Sequence, residues 1–252
     1  MCLTLSPLNA LAETAEEKGL AIAVEADKRN SGWQDQQADL TMVLRNRNGE
    51  TSKRAIRTKS MEVNNDGDKS MSIFDSPKDV QGTAFLSHTH ATTADDQWLY
   101  LPALKRVKRI ASNNKSGPFM GSEFAYEDIS SQEVEKYKYM WLRDEPYEGK
   151  DTYVIERTPT YEHSGYTKQI VWIDKEMYQP LKIEFYDRKD ALLKTLTNHD
   201  YKQYLGKYWR ASRMEMVNHQ TNKSTTLTWD NYKFTNGYSD RDFDQNSLKR
   251  AR

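Results

Sequence analysis

The sequence predicts a mainly β protein, a curled antiparallel sheet of about a dozen strands with a few covering helices. Three observations carry this. Beyond residue 33 the apolar residues recur at every second position, as in Leu40, Met42 and Leu44 or Leu181, Ile183 and Phe185, which is the period of a half-buried strand. Short turn-forming stretches separate the alternating runs, among them Asn48-Gly49, Asp66-Gly67, Glu148-Gly-Lys150 and Leu205-Gly-Lys207, and tight turns make successive strands antiparallel neighbours. The 15 Tyr, 6 Trp and 7 Phe supply large apolar side chains to a chain that is 37% hydrophobic and 29% charged over 252 residues, enough for a core.

Taken in order, residues 1–12 form a short apolar run ending in Ala10-Leu-Ala12 before the polar Glu13. This small-x-small pattern reads as the remnant of a secretory signal peptide without its basic beginning, and an ordinary N-terminal tail is the alternative. Cys2, the one cysteine, lies inside it, so the remaining chain has no disulfide framework; with only Met1 before it, a lipid anchor there is not expected. Residues 13–252 are expected to be one domain, exported to the periplasm. Ala15–Arg29 has helical spacing, with Leu20, Ala23, Val24 and Ala26 on one face and Asn30-Ser-Gly32 as its stop.

Strands are then expected from Trp33 to Leu44, Thr51 to Val63, Lys69 to Phe74, Gln81 to His88, Gln97 to Leu101 and Leu104 to Ile110. Asn48-Gly49 and Asp66-Gly67 read as two-residue type I′ turns, and Pro102-Ala103 as a tight link. A Gly/Pro-punctuated stretch follows, Ser116-Gly-Pro-Phe-Met-Gly-Ser-Glu-Phe-Ala-Tyr-Glu-Asp128, with helix-prone character over Gly121 to Tyr126. The later strands run from Glu133 to Arg143, Thr152 to Thr158, Lys168 to Asp174, Pro180 to Asp187, Leu192 to Tyr204, Tyr208 to Val217 and Ser224 to Lys233. A sheet this wide must curl or close. The helices are too few to fill its concave side, so an apolar internal space is expected there.

The chemistry is sparse. The chain has no G-x-S-x-G elbow, P-loop, G-x-G-x-x-G or H-E-x-x-H, and no enzyme class is indicated. His88-Thr-His90 has the i, i+2 spacing that would put two imidazoles on one strand face, yet no third metal ligand is specified, so no metal is expected. Glu123, Glu127 and Asp128 could pair as acid and base, but a solvated face is the expected reading in a chain this rich in carboxylates. Lys105-Arg-Val-Lys-Arg109 is basic, but strand alternation divides the charges between two faces, which fits a solvated rim strand. Lys+Arg and Asp+Glu balance at 37 each, so no net field favours nucleic acid. Phe119 and Met120 sit in a loop, where large apolar groups either plug a core or meet a ligand.

At this segment the chain resembles a known family. Asp96-Gln-Trp-Leu-Tyr-Leu-Pro-Ala-Leu-Lys-Arg-Val-Lys-Arg-Ile110, followed by Lys115-Ser-Gly-Pro-Phe-Met-Gly-Ser-Glu-Phe-Ala-Tyr-Glu-Asp128, together with Phe74-Asp-Ser-Pro-Lys-Asp-Val-Gln-Gly-Thr-Ala-Phe85, looks like the bacterial outer-membrane lipoprotein-sorting proteins of the LolA-like superfamily. The resemblance implies a half-open antiparallel barrel of about 11–13 strands closed by helices, holding an acyl chain in an apolar cavity in the periplasm. It also implies an inner-membrane exporter of the resistance-nodulation-division type as partner; with no catalytic set in the sequence, a monomer without enzymatic activity or cofactor is expected. The residues expected to line or cap the cavity mouth are Trp98, Tyr100, Leu101, Phe119, Met120 and Phe124, with Gly117 and Gly121 as hinges. The second reading is an accessory subunit of such an exporter that binds protein and not lipid.

Overall fold

The computed structural model describes residues 13–251; the expected signal segment, residues 1–12, lies outside them. Thirteen strands form one antiparallel sheet. In chain order they are β1 (Asp35–Arg45), β2 (Thr51–Met61), β3 (Lys69–Ser76), β4 (Ala84–His88), β5 (Asp96–Leu101), β6 (Arg106–Arg109), β7 (Tyr137–Tyr147), β8 (Lys150–Pro159), β9 (Tyr166–Asp174), β10 (Pro180–Asp187), β11 (Leu192–Tyr204), β12 (Tyr208–Asn218) and β13 (Lys223–Phe234). Their spatial order is β6-β5-β4-β3-β2-β1-β13-β12-β11-β10-β9-β8-β7. Two meanders therefore meet where β1 pairs with β13, and the sheet curls without closing. Its two free edges, β6 and β7, are consecutive in the chain. The segment between them, residues 110–136, must cross the open side from one edge to the other.

Cross-strand partners share a face of the sheet. On the inner face the register aligns Leu40 with Ile56, and Ile56 with Phe74; these join Phe85, Leu99, Ile173, Ile183, Phe185 and Leu227 in the main core. The crossing segment adds Ile110, Phe119 and Phe124 to the same core, and the N-terminal helix adds Ile22. The outer face carries two smaller clusters. One packs Met71, Ile73, Ala84 and Leu86 under Phe243 and Leu248, the latter from helix α2 (Gln245–Arg250), which Asp244 caps. The other centres on Val154, Ile170 and Trp172.

Helix α1 (Ala15–Asn30) opens with a capping box between Thr14 and Glu17, carries Glu16 and Glu17 in its first turn and ends on Lys28 and Arg29, charges that suit the helix dipole. Its buried face is Gly19, Ile22 and Ala23, while Leu20 and Val24 stay 46% and 47% exposed. The apolar stripe read from the sequence is thus rotated. Gly19 explains the rotation: it lies so close to β7 that a Cβ would sit 2.7 Å from backbone atoms of Met140 and Trp141.

Several local expectations are corrected. Asn46 and Glu50 close a three-residue loop in which the Gly49 amide donates to the Asn46 carbonyl and only Gly49, at φ 85°, is left-handed; this is not a two-residue I′ turn. Gly67 is not left-handed either. It is small because Thr89 packs against it, 2.4 Å from where a Cβ would be. The strand expected over Leu104–Ile110 shortens to β6, because Pro102–Leu104 forms a 3₁₀ turn. No helix forms at Gly121–Tyr126; Phe119–Gly121 and Tyr126–Asp128 are single 3₁₀ turns. The polar side chains of Ser122 and Asp128 bind nearby backbone there, and such local bonds compete with helix formation.

Candidate functional site

The crossing segment is a plug. Phe119, 2% exposed, sits among the rings of Phe74, Phe85 and Tyr126 at centroid distances of 6.0, 5.1 and 5.5 Å. Polar groups pin the plug to the sheet. Lys194 from β11 bonds the Glu123 carbonyl at 2.8 Å and Asp128 at 2.6 Å, with both side chains of that pair almost fully buried. The Tyr166 hydroxyl donates to Asp128 as well. Glu127 accepts from Tyr161, Ser164 and the Gly165 amide, and Asn218 donates to Glu123. Burial, with the adjacent Asp128 charge, raises the Glu127 carboxyl above its ordinary value. These three carboxylates are therefore not the solvated face the sequence predicted; they fasten the plug, since a buried charge persists only when paired and hydrogen-bonded.

The space left by the plug lies beside it. Between α1, the inner face of β7–β10 and residues 130–135 is a cavity of about 820 Å³. Ala23 and Ala26 form its helical wall and Ile155, Val171, Ile173 and Ile183 its floor, with Trp33, Tyr139 and Tyr178 around them. Asp27, Glu62, Asp68, Glu133 and Glu135 stand among its lining residues. Burial, followed by the Glu133 charge, pushes Asp68 up to about 7; burial raises Asp27 and Glu133 as well. Ser131 donates to Asp68 and Thr89 to Glu133, so this carboxyl pair holds the 130–135 segment in place. Across that segment lies a second pocket of about 480 Å³, which shares Ala91, Ser131, Gln132, Glu133 and Glu135 with the first.

The structure divides the residues expected at the cavity mouth. Leu101, Phe119, Met120 and Phe124 belong to the inner-face core, whereas Trp98 and Tyr100 point to the outer face and pack against the cluster under α2. Strand alternation forces that split, because neighbouring residues of β5 face opposite ways. None of the six lines the cavity beside α1. Of the two glycines, Gly121 is left-handed at φ 77° with open space around it, while a Cβ on Gly117 would meet the Asn114 carbonyl at 3.1 Å. The cavity's floor residues were visible in the sequence as strand alternation. Their role was not, because nothing local says which part of the inner face stays uncovered.

The histidines do not converge. His88 bonds the Phe243 carbonyl at 2.7 Å and stands edge-on to Trp98, and His90 bonds Asp66 at 2.8 Å. Among the described residues no group of three or more His, Cys, Asp or Glu side chains is arranged to hold a metal, and no helix is long and apolar enough to cross a membrane.

A curled, unclosed antiparallel sheet, its inner face covered by a helix and by the segment joining its edges, defines the LolA-like class. A family model described as an uncharacterized protein matches residues 66–250. Among solved structures, a domain assigned to outer membrane lipoprotein sorting from Vibrio parahaemolyticus is 61% identical with a TM-score of 0.92, over 93% of this chain and 99% of that one. A DUF1329 family protein from Desulfovibrio piger is 30% identical with a TM-score of 0.88, again over 93% and 99%. A LolA superfamily protein from Nitrosomonas europaea shares the fold at 22% identity and a TM-score of 0.72, over 94% and 100%. No curated protein matches the chain. The chain belongs to the family represented by the Vibrio outer membrane lipoprotein-sorting domain and the Desulfovibrio DUF1329 protein, and it has the LolA-like fold.

Proposed function

We propose that the protein is a periplasmic carrier or acceptor that shields an acyl chain, of a lipoprotein or another lipid, in the cavity between α1 and the inner face of β7–β10. The observation that carries this reading is the cavity itself: about 820 Å³ over a floor of Ile155, Val171, Ile173 and Ile183, within the ~300–1,000 Å³ span of small-molecule sites. The description of the Vibrio relative, at 61% identity, supports it. Binding needs no covalent chemistry. Each methylene taken out of water contributes about 0.8 kcal/mol, so a chain of roughly ten carbons gains about 8 kcal/mol before ordering costs are subtracted.

Ala26 lines this cavity from α1 and is only half-buried, so Ala26→Trp fills the space without disturbing the core. We expect the variant to keep its melting temperature and to lose about tenfold or more in affinity for a fluorescent fatty acid, a change of about 1.4 kcal/mol. Unchanged affinity in the folded variant, or no acyl binding by the parent protein, refutes the reading.

A further inference from the structure

The pocket across the 130–135 segment is lined by charged side chains of both signs. Its walls are the β4–β5 loop, residues 127–137 and the β8–β9 loop, and it shares five lining residues with the cavity beside α1. Two features define its chemistry.

The first is a surplus of buried donors. Lys115 and Lys136 have side chains only 10% and 11% exposed, and both turn to the same carboxylate, Asp95. Lys136 bonds it directly, and the Lys115 ammonium stands 3.5 Å from its other oxygen. Asp95 is the one acceptor that the two ammonium groups have among the described residues. An ammonium carries three N–H donors, and buried donors without acceptors are costly. Burial accordingly lowers the Lys115 pKa.

The second is the sign of the surrounding charge. Asp95, Glu127, Glu133, Glu135 and Glu162 line the pocket against those two lysines. A phosphate or carboxylate would meet five carboxylates, and a quaternary ammonium would meet two buried ammonium groups with no lone pair to accept their hydrogen bonds. A group rich in hydroxyls does better, because each hydroxyl accepts from a lysine and donates to a carboxylate. Tyr137 and Tyr161 stand edge to face at 5.9 Å and add ring surface with polar ends; their hydroxyls bond Gln132 and Glu127.

We infer that this pocket binds an uncharged, polyhydroxylated headgroup, a glycosyl group, of an amphiphile whose acyl chain occupies the adjoining cavity. The inference rests on the acyl-carrier reading and names the ligand class for it. The test uses three amphiphiles with one tail: decyl maltoside, decyl phosphate and decyltrimethylammonium, each titrated below its micelle concentration and read by calorimetry.

We expect the maltoside to bind about tenfold or more tightly than either charged compound, as a site built around hydroxyl groups discriminates against heads that leave its polar groups unpaired. Lys115→Met, or the more exposed Gln132→Ala should the first fail to fold, removes that preference. Ala26→Trp weakens all three alike. Equal affinities, a preference for a charged head, or a preference that survives both variants overturns the headgroup assignment and leaves the acyl site standing. Failure of all three to bind overturns both.

Discussion

At the scale of single residues, buried charge distinguishes the plug from an ordinary loop. Asp128 and Lys194 are nearly inaccessible and 2.6 Å apart. Removing one partner of such a pair leaves the other charge buried, at a cost of about 3–5 kcal/mol. Lys194→Met is expected to lose that much in denaturant unfolding, and the double variant Lys194→Met, Asp128→Asn clearly less; equal losses would show that the pair does not fasten the plug. Asp68 makes a prediction of opposite sign. Its pKa is pushed up to about 7 by burial and by Glu133, above the ~3.9 of the unfolded chain. The native state therefore keeps a proton that the unfolded chain has lost, and stability falls as pH rises between those values, by up to about 1.4 kcal/mol per pH unit. Above pH 7 the cost is fully present. Asp68→Asn should raise the melting temperature at pH 8 and flatten the decline from pH 4 to 7. A melting temperature at pH 8 that stays or drops contradicts the assignment. Neither pairing was legible in the sequence, since Asp128 and Lys194 lie 66 positions apart and no local pattern joins them.

At the scale of elements, strands were far more legible than the pieces that cover them. The sequence pattern locates all thirteen strands, most directly where one face alone is buried, as Leu181, Ile183 and Phe185 announce β10. It misses α2, six residues long with Leu248 as its one buried side chain, too short for periodicity to register. It also mis-rotates α1, where what decides the orientation is the residue without a side chain. Gly19→Ala improves intrinsic helix propensity by about 1 kcal/mol, yet its Cβ would sit 2.7 Å from the β7 backbone. The contact should win: the variant is expected to be less stable and to show faster amide exchange through residues 15–30, whereas Leu20→Ala, at an exposed position, leaves exchange nearly unchanged. Slower exchange in Gly19→Ala would show that α1 does not seat tightly on β7.

At the scale of the whole molecule, one topological fact organises the rest. The free edges β6 and β7 are consecutive in the chain, so the linking segment has to span the open side and bring Phe119 and Phe124 into the core. Together with α1 it covers the inner face incompletely, and the uncovered part is the cavity over β8–β10. The curl of the sheet and the expectation of an internal space were both readable from strand number. The position of the space was not. The sequence-based choice, residues 98–124, marks the plug and its neighbours, because loop aromatics that fill a core and loop aromatics that wait for a ligand have the same local signature.

A photoreactive fatty acid carrying a diazirine at mid-chain, bound to the purified protein, irradiated and mapped by peptide mass spectrometry, tests the position of the acyl site most directly. The expected adducts fall on α1 around Ala23 and Ala26 and on β8–β10 around Ile155, Ile173 and Ile183, the residues that bound the cavity. Adducts confined to residues 96–124, or none above the level of a denatured control, would contradict the account.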